Sequence, residues 1–171
     1  MPGALKLNMD AAVDHDMGFI GIGGRLIRDC VGAGLGTFTT RICGRFNASV
    51  AECITVREGL RFAREEGFMV NMVESESLNI ITAIRSRSSL GVESSIINGI
   101  FDTFSWLDNV SCSHILRIGN EAVNSLVRFA RIFSSTMVWE DEILNVSLIF
   151  YLMIYQWINS ASYFHSKNLL S

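Results

Sequence analysis

The chain holds 171 residues, 49% of them hydrophobic and 18% charged, with a formal net charge of −3. That is about one domain with enough apolar material for a real core. The charge balance excludes a chain that grips nucleic acid through bulk positive charge, which needs clustered Lys and Arg. Any such contact has to come from a local site.

No basic start followed by an apolar run precedes Lys6, which argues against a secretory signal. Cys30, Cys43, Cys53 and Cys112 lie far apart with no C-x-x-C pair. Thiols spaced this way are expected to be reduced and structural, in an intracellular protein that is nuclear or cytoplasmic.

In chain order, Leu5 to Ala11 alternates polar and apolar residues as a strand does, and Gly18 to Ile27 is rich in glycine and β-branched residues with no helical period. Arg28 and Asp29 lead to Gly32, a hairpin turn into a third strand from Ala33 to Thr40. From Ser49 to Glu66 the period changes. Val50, Ala51, Ile54, Leu60 and Ala63 recur near helical spacing, while Arg57, Glu58, Arg61, Arg64 and Glu65 supply a polar face. Ser49 suits an N-cap and Gly67 a helix stop. Phe68 to Glu74 then reads as a buried strand, Leu78 to Arg85 and Val92 to Leu107 as helices, Val110 to Ile118 as a fifth strand and Glu121 to Phe133 as a closing helix. The order β-β-β-α-β-α-α-β-α predicts a mixed α/β domain, with helices covering a five-stranded sheet that begins with three antiparallel strands.

Gly21-Ile22-Gly23-Gly24 and Gly32-Ala33-Gly34-Leu35-Gly36 invite a dinucleotide-binding reading, which fails on context. That fingerprint needs a strand, a glycine turn and then a helix N-terminus to meet the pyrophosphate, whereas these glycines lie within a run of strands. They read instead as bulges or close backbone approaches in a sheet.

Four separated segments carry more specific information. Lys6-Leu7-Asn8-Met9-Asp10 delivers a carboxylate on a strand, and Ala51-Glu52 precedes Arg57-Glu58-Gly59-Leu60 in a helical stretch. Val73-Glu74-Ser75-Glu76-Ser77 closes a strand, and the segment from His114 to Leu126 includes Asn120-Glu121-Ala122-Val123-Asn124. In this order and spacing they resemble the plant-type ribonuclease H-like domain, a type-1 ribonuclease H relative derived from retroelements, over residues 5–134. The resemblance implies the same element order and a Gly-rich second strand ending in an Arg-Asp pair, here Arg28-Asp29. It also implies metal-dependent endonucleolytic hydrolysis of the RNA strand of an RNA–DNA hybrid, by four acids that hold Mg²⁺ or Mn²⁺. Carried onto this sequence, the catalytic and metal positions are Asp10, Glu52, Glu76 and Asn124. The implied partner is the hybrid itself, recognised by shape through backbone and 2′-hydroxyl contacts.

The chemistry explains the residue types. Two hard cations about 3.5–4 Å apart clamp the scissile phosphate, and Mg²⁺ takes oxygen ligands supplied largely by carboxylates. Asp10 and Glu52 match the family pattern, while Glu76 stands where the family has Asp and reaches roughly 1.5 Å further. Asn124 replaces the last Asp, offering a carbonyl oxygen without charge. At an effective dielectric near 20, a unit charge about 4 Å from its partner is worth about 4 kcal/mol before desolvation. Even a net loss of about 3 kcal/mol is more than a hundredfold in occupancy or rate. The sequence thus predicts a weakened or inactive site, with Glu74 and Glu121 as candidates to restore the missing charge.

Each residue also has a plain structural reading. Asp10 suits a turn, Glu52 an exposed helix face beside Arg57, Glu58 and Arg61, Glu76 a helix N-terminus, and Asn124 any polar helix position. His114 matches a family His, yet a lone strand His is more often structural. His15 and His165 have no visible partners, and the loop Arg117-Ile118-Gly119 lacks the His that some ribonucleases H carry before the last helix. Arg85, Arg87, Ser88 and Ser89 form a patch that suits a phosphate or simply a solvated loop.

Residues 135–171 differ in character. Ile143 to Ile158 is almost wholly apolar or aromatic, interrupted by Asn145 and Gln156, and falls short of the roughly 20 residues of a membrane span. A packed helix, a membrane-associated segment and a poorly ordered tail all fit this pattern. Three functional readings follow for the whole chain: a hybrid-cleaving endonuclease, a copy that binds nucleic acid without cutting, and a retroelement-derived remnant. The last is in keeping with a chain that starts just before the first strand, with no polymerase-like region ahead of it.

Overall fold

The computed structural model describes residues 4–28, 32–88, 91, 93–107, 110–131, 135–140, 151 and 155. The opening strands β1 (Leu5–Asp14), β2 (Phe19–Arg28) and β3 (Ala33–Cys43) form an antiparallel meander. They are followed by α1 (Ala48–Glu65), β4 (Met72–Ser75), α2 (Leu78–Ser86), α3 (Ser94–Phe104) and β5 (Ser111–His114). A 3-10 turn at Arg117–Asn120 leads into α4 (Glu121–Ala130), and β6 (Met137–Glu140) comes last. The sheet order is β5-β4-β1-β2-β3-β6, with β4 parallel to both β1 and β5.

The expected mixed α/β architecture is present, with six strands where the sequence predicts five. The sixth is β6, which pairs antiparallel with β3 in the register Thr37↔Trp139. Four residues are too few to establish an alternating pattern. What holds them is tertiary: the Trp139 ring meets Phe129 of α4 edge-on, centroids 5.6 Å apart, a geometry that aromatic pairs favour.

Two expected strands shorten for one reason. The register Lys6↔Met72 places Val70 opposite residue 4, before β1 begins, so Phe68 to Val70 have no ladder partner and β4 starts at Met72. At the other end β4 stops at Ser75, whose carbonyl takes the last bond of this ladder from Ile115 N at 3.0 Å, so β5 ends at His114 and the chain turns into the 3-10 segment. Asn71 ties these beginnings together: its Oδ1 accepts from Leu5 N at 3.0 Å, its N–H donates to Leu5 O, and its carbonyl accepts from Ser111 N.

Helix α1 starts two residues earlier than expected, because Asn47 rather than Ser49 is the cap. The Asn47 side chain accepts from Val50 N at 2.8 Å. Gly67 ends the helix as expected, at φ +75°, a left-handed conformation that glycine adopts without strain. The apolar stripe Cys53, Val56, Leu60 and Ala63 is fully buried against Leu7, Met9, Ile20 and Ile22 of the sheet. Each such large side chain stabilises the fold by about 1.5–3 kcal/mol.

Helices α1, α2 and α3 cover the face carrying Leu7 and Met9, while α4 covers the other. The glycines of β2 explain how closely α4 approaches. A Cβ at position 21 would stand 3.0 Å from Ala130 Cβ, and one at position 23 would stand 3.0 Å from Leu126 Cβ. Thr39, wholly buried, closes the same interface by donating its hydroxyl to the carbonyls of Ile22 and Leu126, both at 3.0 Å.

Asp29, Cys30, Ser89, His165 and most of the apolar run from Ile143 to Ile158 lie outside the described residues. Within that run Tyr151 and Tyr155 are helical and exposed, their rings stacked at 6.3 Å. Among the described residues no helix is long and apolar enough to cross a membrane.

Candidate active site

Alternation along β1 sorts its side chains between the two layers. Leu7 and Met9 face α1, where a Cβ on Gly59 would overlap Met9 Sδ. Asn8 and Asp10 face α4, because Asp10 is paired across the sheet with Gly23, which α4 covers. Asp10 therefore sits in mid-strand, and the turn reading does not hold. Its parallel neighbour β4 pairs only with Lys6 to Met9, so from Asp10 onward that edge of β1 is open. Ligand crevices of open α/β sheets form just there, outside the carboxyl ends of parallel strands.

Three chain segments bring acids to this opening. Asp10 comes from β1, Glu52 from the first turns of α1, and Glu76 from the residue after β4, ahead of the α2 cap Ser77. All three line one cavity of about 570 Å³, together with Asn124, Arg117 and Arg128. Glu52 is half-buried, not the exposed helix charge that its Arg-rich neighbourhood suggested.

Burial and neighbouring carboxylates raise the proton affinity of Asp10 and Glu52. Burial, then the Glu76 carboxylate, pushes Asp10 up to about 6, against the opposing Ala11 N–H and the Arg117 charge. Glu52 rises to about 8, chiefly through burial and then through Asp10 and Glu76, with a hydrogen bond from Ser75 pulling the other way. Carboxylates close enough to raise a neighbour's proton affinity belong to one electrostatic site.

Asn124 meets the cluster through its amide protons. Its Nδ2 donates to Glu76 Oε1 at 2.9 Å and to Asn120 O at 3.2 Å. With both protons committed, the amide orientation is set, and it is the NH₂ end that faces the carboxylate. Asn120, 1% exposed, is itself anchored by donating Nδ2 to Met9 O at 3.1 Å. The fourth position is thus wired to β1 through the helix start.

Mg²⁺ or Mn²⁺ would need oxygen ligands turned onto common points. Among the described residues no three Asp, Glu, His or Cys side chains form a group that could hold a metal ion, and one Glu76 oxygen already faces an amide donor. As placed, the donor set does not fit a pair of divalent ions.

The other candidates separate clearly. Glu74 lies 3.6 Å from Lys6 Nζ and does not line the cavity. Glu121 lines a second cavity of about 530 Å³ that shares Arg117, Asn124 and Arg128 with the first. His114 and His15 are exposed and line neither. Arg85 is used structurally, donating from Nε and Nη2 to Cys112 O at 2.9 and 2.6 Å, and Arg87 stacks over Phe101. Sequence reasoning missed Arg117 and Arg128. The one available signal was that Arg128 follows Asn124 by four residues, which places both on one helix face.

The reverse transcriptase-like family matches residues 8–130 of this chain. No curated protein sequence matches it closely. Among solved structures, the RNase H1 of the archaeon Halobacterium salinarum superposes with a TM-score of 0.69 at 19% identity, covering 76% of this chain and 98% of its own. The N-terminal RNase H domain of a Mycobacterium tuberculosis protein gives 0.66 at 18% identity, covering 75% and 93%. An RNase H1 isolated from compost, in complex with an RNA/DNA hybrid, gives 0.65 at 19%, covering 74% and 95%.

Proposed function

Since the chain belongs to the reverse transcriptase-like family and folds as an RNase H-like domain, we propose that it binds RNA–DNA hybrid at the opening beside Asp10, with hydrolysis of the RNA strand strongly reduced or lost. The observation that carries this reading is the hydrogen bond from Asn124 Nδ2 to Glu76 Oε1. A donor occupies the position from which the resemblance expects a fourth carboxylate, and it satisfies an oxygen that a cation would otherwise take. Binding survives this exchange, because hybrid recognition rests on shape and backbone contacts rather than on the cleaving group.

Metal-dependent hydrolysis is the second reading, favoured by the convergence of Asp10, Glu52 and Glu76 on one cavity. On that reading Asp10, Glu52, Glu76 and the Asn124 carbonyl are the positions that would hold Mg²⁺ or Mn²⁺, and the chemistry supplied is activation of water and stabilisation of the leaving oxygen. The deciding experiment incubates the full chain with a labelled RNA–DNA hybrid in Mg²⁺ or Mn²⁺, with Asp10→Asn as control, and measures hybrid affinity in parallel. Binding with cleavage no greater than the control supports a binding domain. Robust cleavage abolished by Asp10→Asn replaces that reading with the nuclease one.

A further inference from the structure

We propose that the second cavity, between Arg117 and Arg128, is a metal-independent seat for a nucleic-acid phosphate. This rests on the nucleic-acid reading above and specifies where the backbone is held. The cavity of about 530 Å³ is lined by Arg117, Ile118, Glu121, Asn124, Ser125 and Arg128. Arg117 comes from the 3-10 turn and Arg128 from the last turn of α4, and both line this cavity.

Their availability distinguishes them from several other arginines. Arg57, Arg61 and Arg131 are in ion pairs, Arg85 is bound to Cys112 O, and Arg41 and Arg87 lie over aromatic rings. Among the described residues neither Arg117 nor Arg128 has a carboxylate within ion-pair distance, and both are exposed. Guanidinium groups present planar forks of donors suited to phosphate oxygens.

The residue between them decides the sign of the site. A carboxylate at position 124 would place a negative charge on the wall shared by both cavities, where it would repel a phosphate unless a cation intervened. The neutral amide of Asn124 removes that charge, and Ser125 donates its hydroxyl to Glu121 O one turn back along α4. Glu121 is then the one carboxylate on this wall among the described residues, and it is unpaired with either arginine. The exchange that weakens a cation site improves an anion site.

The test is binding of a fluorescently labelled RNA–DNA hybrid to the full chain in EDTA, across a salt series, for the wild type, Arg117→Ala/Arg128→Ala, Arg117→Lys/Arg128→Lys and Asn124→Asp. Both arginines are exposed, and circular dichroism confirms that each variant is folded. The wild type is expected to bind without metal. The double alanine variant should lose roughly tenfold per arginine, and the slope of log affinity against log salt should fall by about 0.9, the value for one phosphate no longer neutralised. The lysine pair should retain most of the slope, and Asn124→Asp should weaken metal-free binding. Unchanged affinity and slope in the double alanine variant would overturn the seat while leaving hybrid binding in place. No binding by the wild type, with or without metal, would overturn both.

Discussion

At the scale of single residues, the chemistry turns on two side chains. Asn124→Asp removes the donor to Glu76 and sets two carboxylates against each other. Without metal the variant is expected to be less stable by about 1–3 kcal/mol, the usual cost of stranding a half-buried polar group. Mn²⁺ should restore the loss and raise cleavage. Thermal melts in EDTA and in Mn²⁺ check this, and a variant as stable as the wild type in EDTA would remove the clamp from consideration. Glu52 governs pH dependence. Its folded pKa, about 8, lies above its ordinary value of 4.5, so the folded protein keeps a proton that the unfolded chain releases. Stability from this source is full below about pH 4.5 and is lost as pH rises through 8. Melting temperature is therefore expected to fall from pH 5 to pH 9 in the wild type and to stay flatter in Glu52→Gln. The variant should lead by on the order of 2–4 °C at the alkaline end. Parallel profiles would show that Glu52 titrates normally. The acids were picked out by the resemblance of their segments to the ribonuclease H-like pattern, since local pattern alone suited a turn, an exposed helix face and a helix N-terminus. The role of Asn124 was not legible in the sequence, since it depends on where Asn120 and Glu76 place their oxygens, which no spacing encodes.

At the scale of elements, α4 is the part most sensitive to its neighbours. Ala at position 21 or 23 would put a Cβ against Ala130 or Leu126 at 3.0 Å, tighter than nine in ten real Cβ contacts. Gly23→Ala is expected to cost about 1–3 kcal/mol, the usual range for overpacking. Because α4 carries both Asn124 and Arg128, the same change should weaken hybrid binding although it touches no site residue. Denaturant unfolding and affinity measured together check this, and full stability with a displaced affinity would show that α4 shifts without strain. The glycines were legible as close approaches, and periodicity located α1 and α4 well. The lengths of β4 and β5 were not legible, because each strand ends where its partner does. Ser49 was mistaken for the cap for a similar reason: Ser and Asn are both good caps, and only the backbone turn at Asn47 selects between them.

For the molecule as a whole, the β3 edge of the sheet is covered by the sixth strand. A chain ended after residue 140 retains the β3–β6 ladder and the Phe129–Trp139 contact, whereas one ended after residue 135 exposes the β3 edge. The shorter chain is expected to be less stable by about 1–3 kcal/mol, and it should aggregate more readily, as unprotected edges do. Melting and light scattering on the two chains compare them directly, and equal behaviour would leave the five preceding strands as a self-sufficient unit. The five-strand core was readable because each strand carried its own pattern. The edge strand was not, since its pattern is supplied by the partners that it meets.

The alternation of β1 makes the cavity a matter of odd and even. Asp10 reaches it because it shares parity with Asn8 and Lys6, while Leu7 and Met9 go to the core. Deleting Leu7 or Asn8 while β2 and α1 hold Met9 and Asp10 in place would move the residues before the gap to the opposite face, sending the Lys6 ammonium into the apolar layer. The segment therefore tolerates changes of side chain far better than changes of length. A single-codon loss there is expected to leave an insoluble chain, whereas Lys6→Gln at the same place is expected to fold.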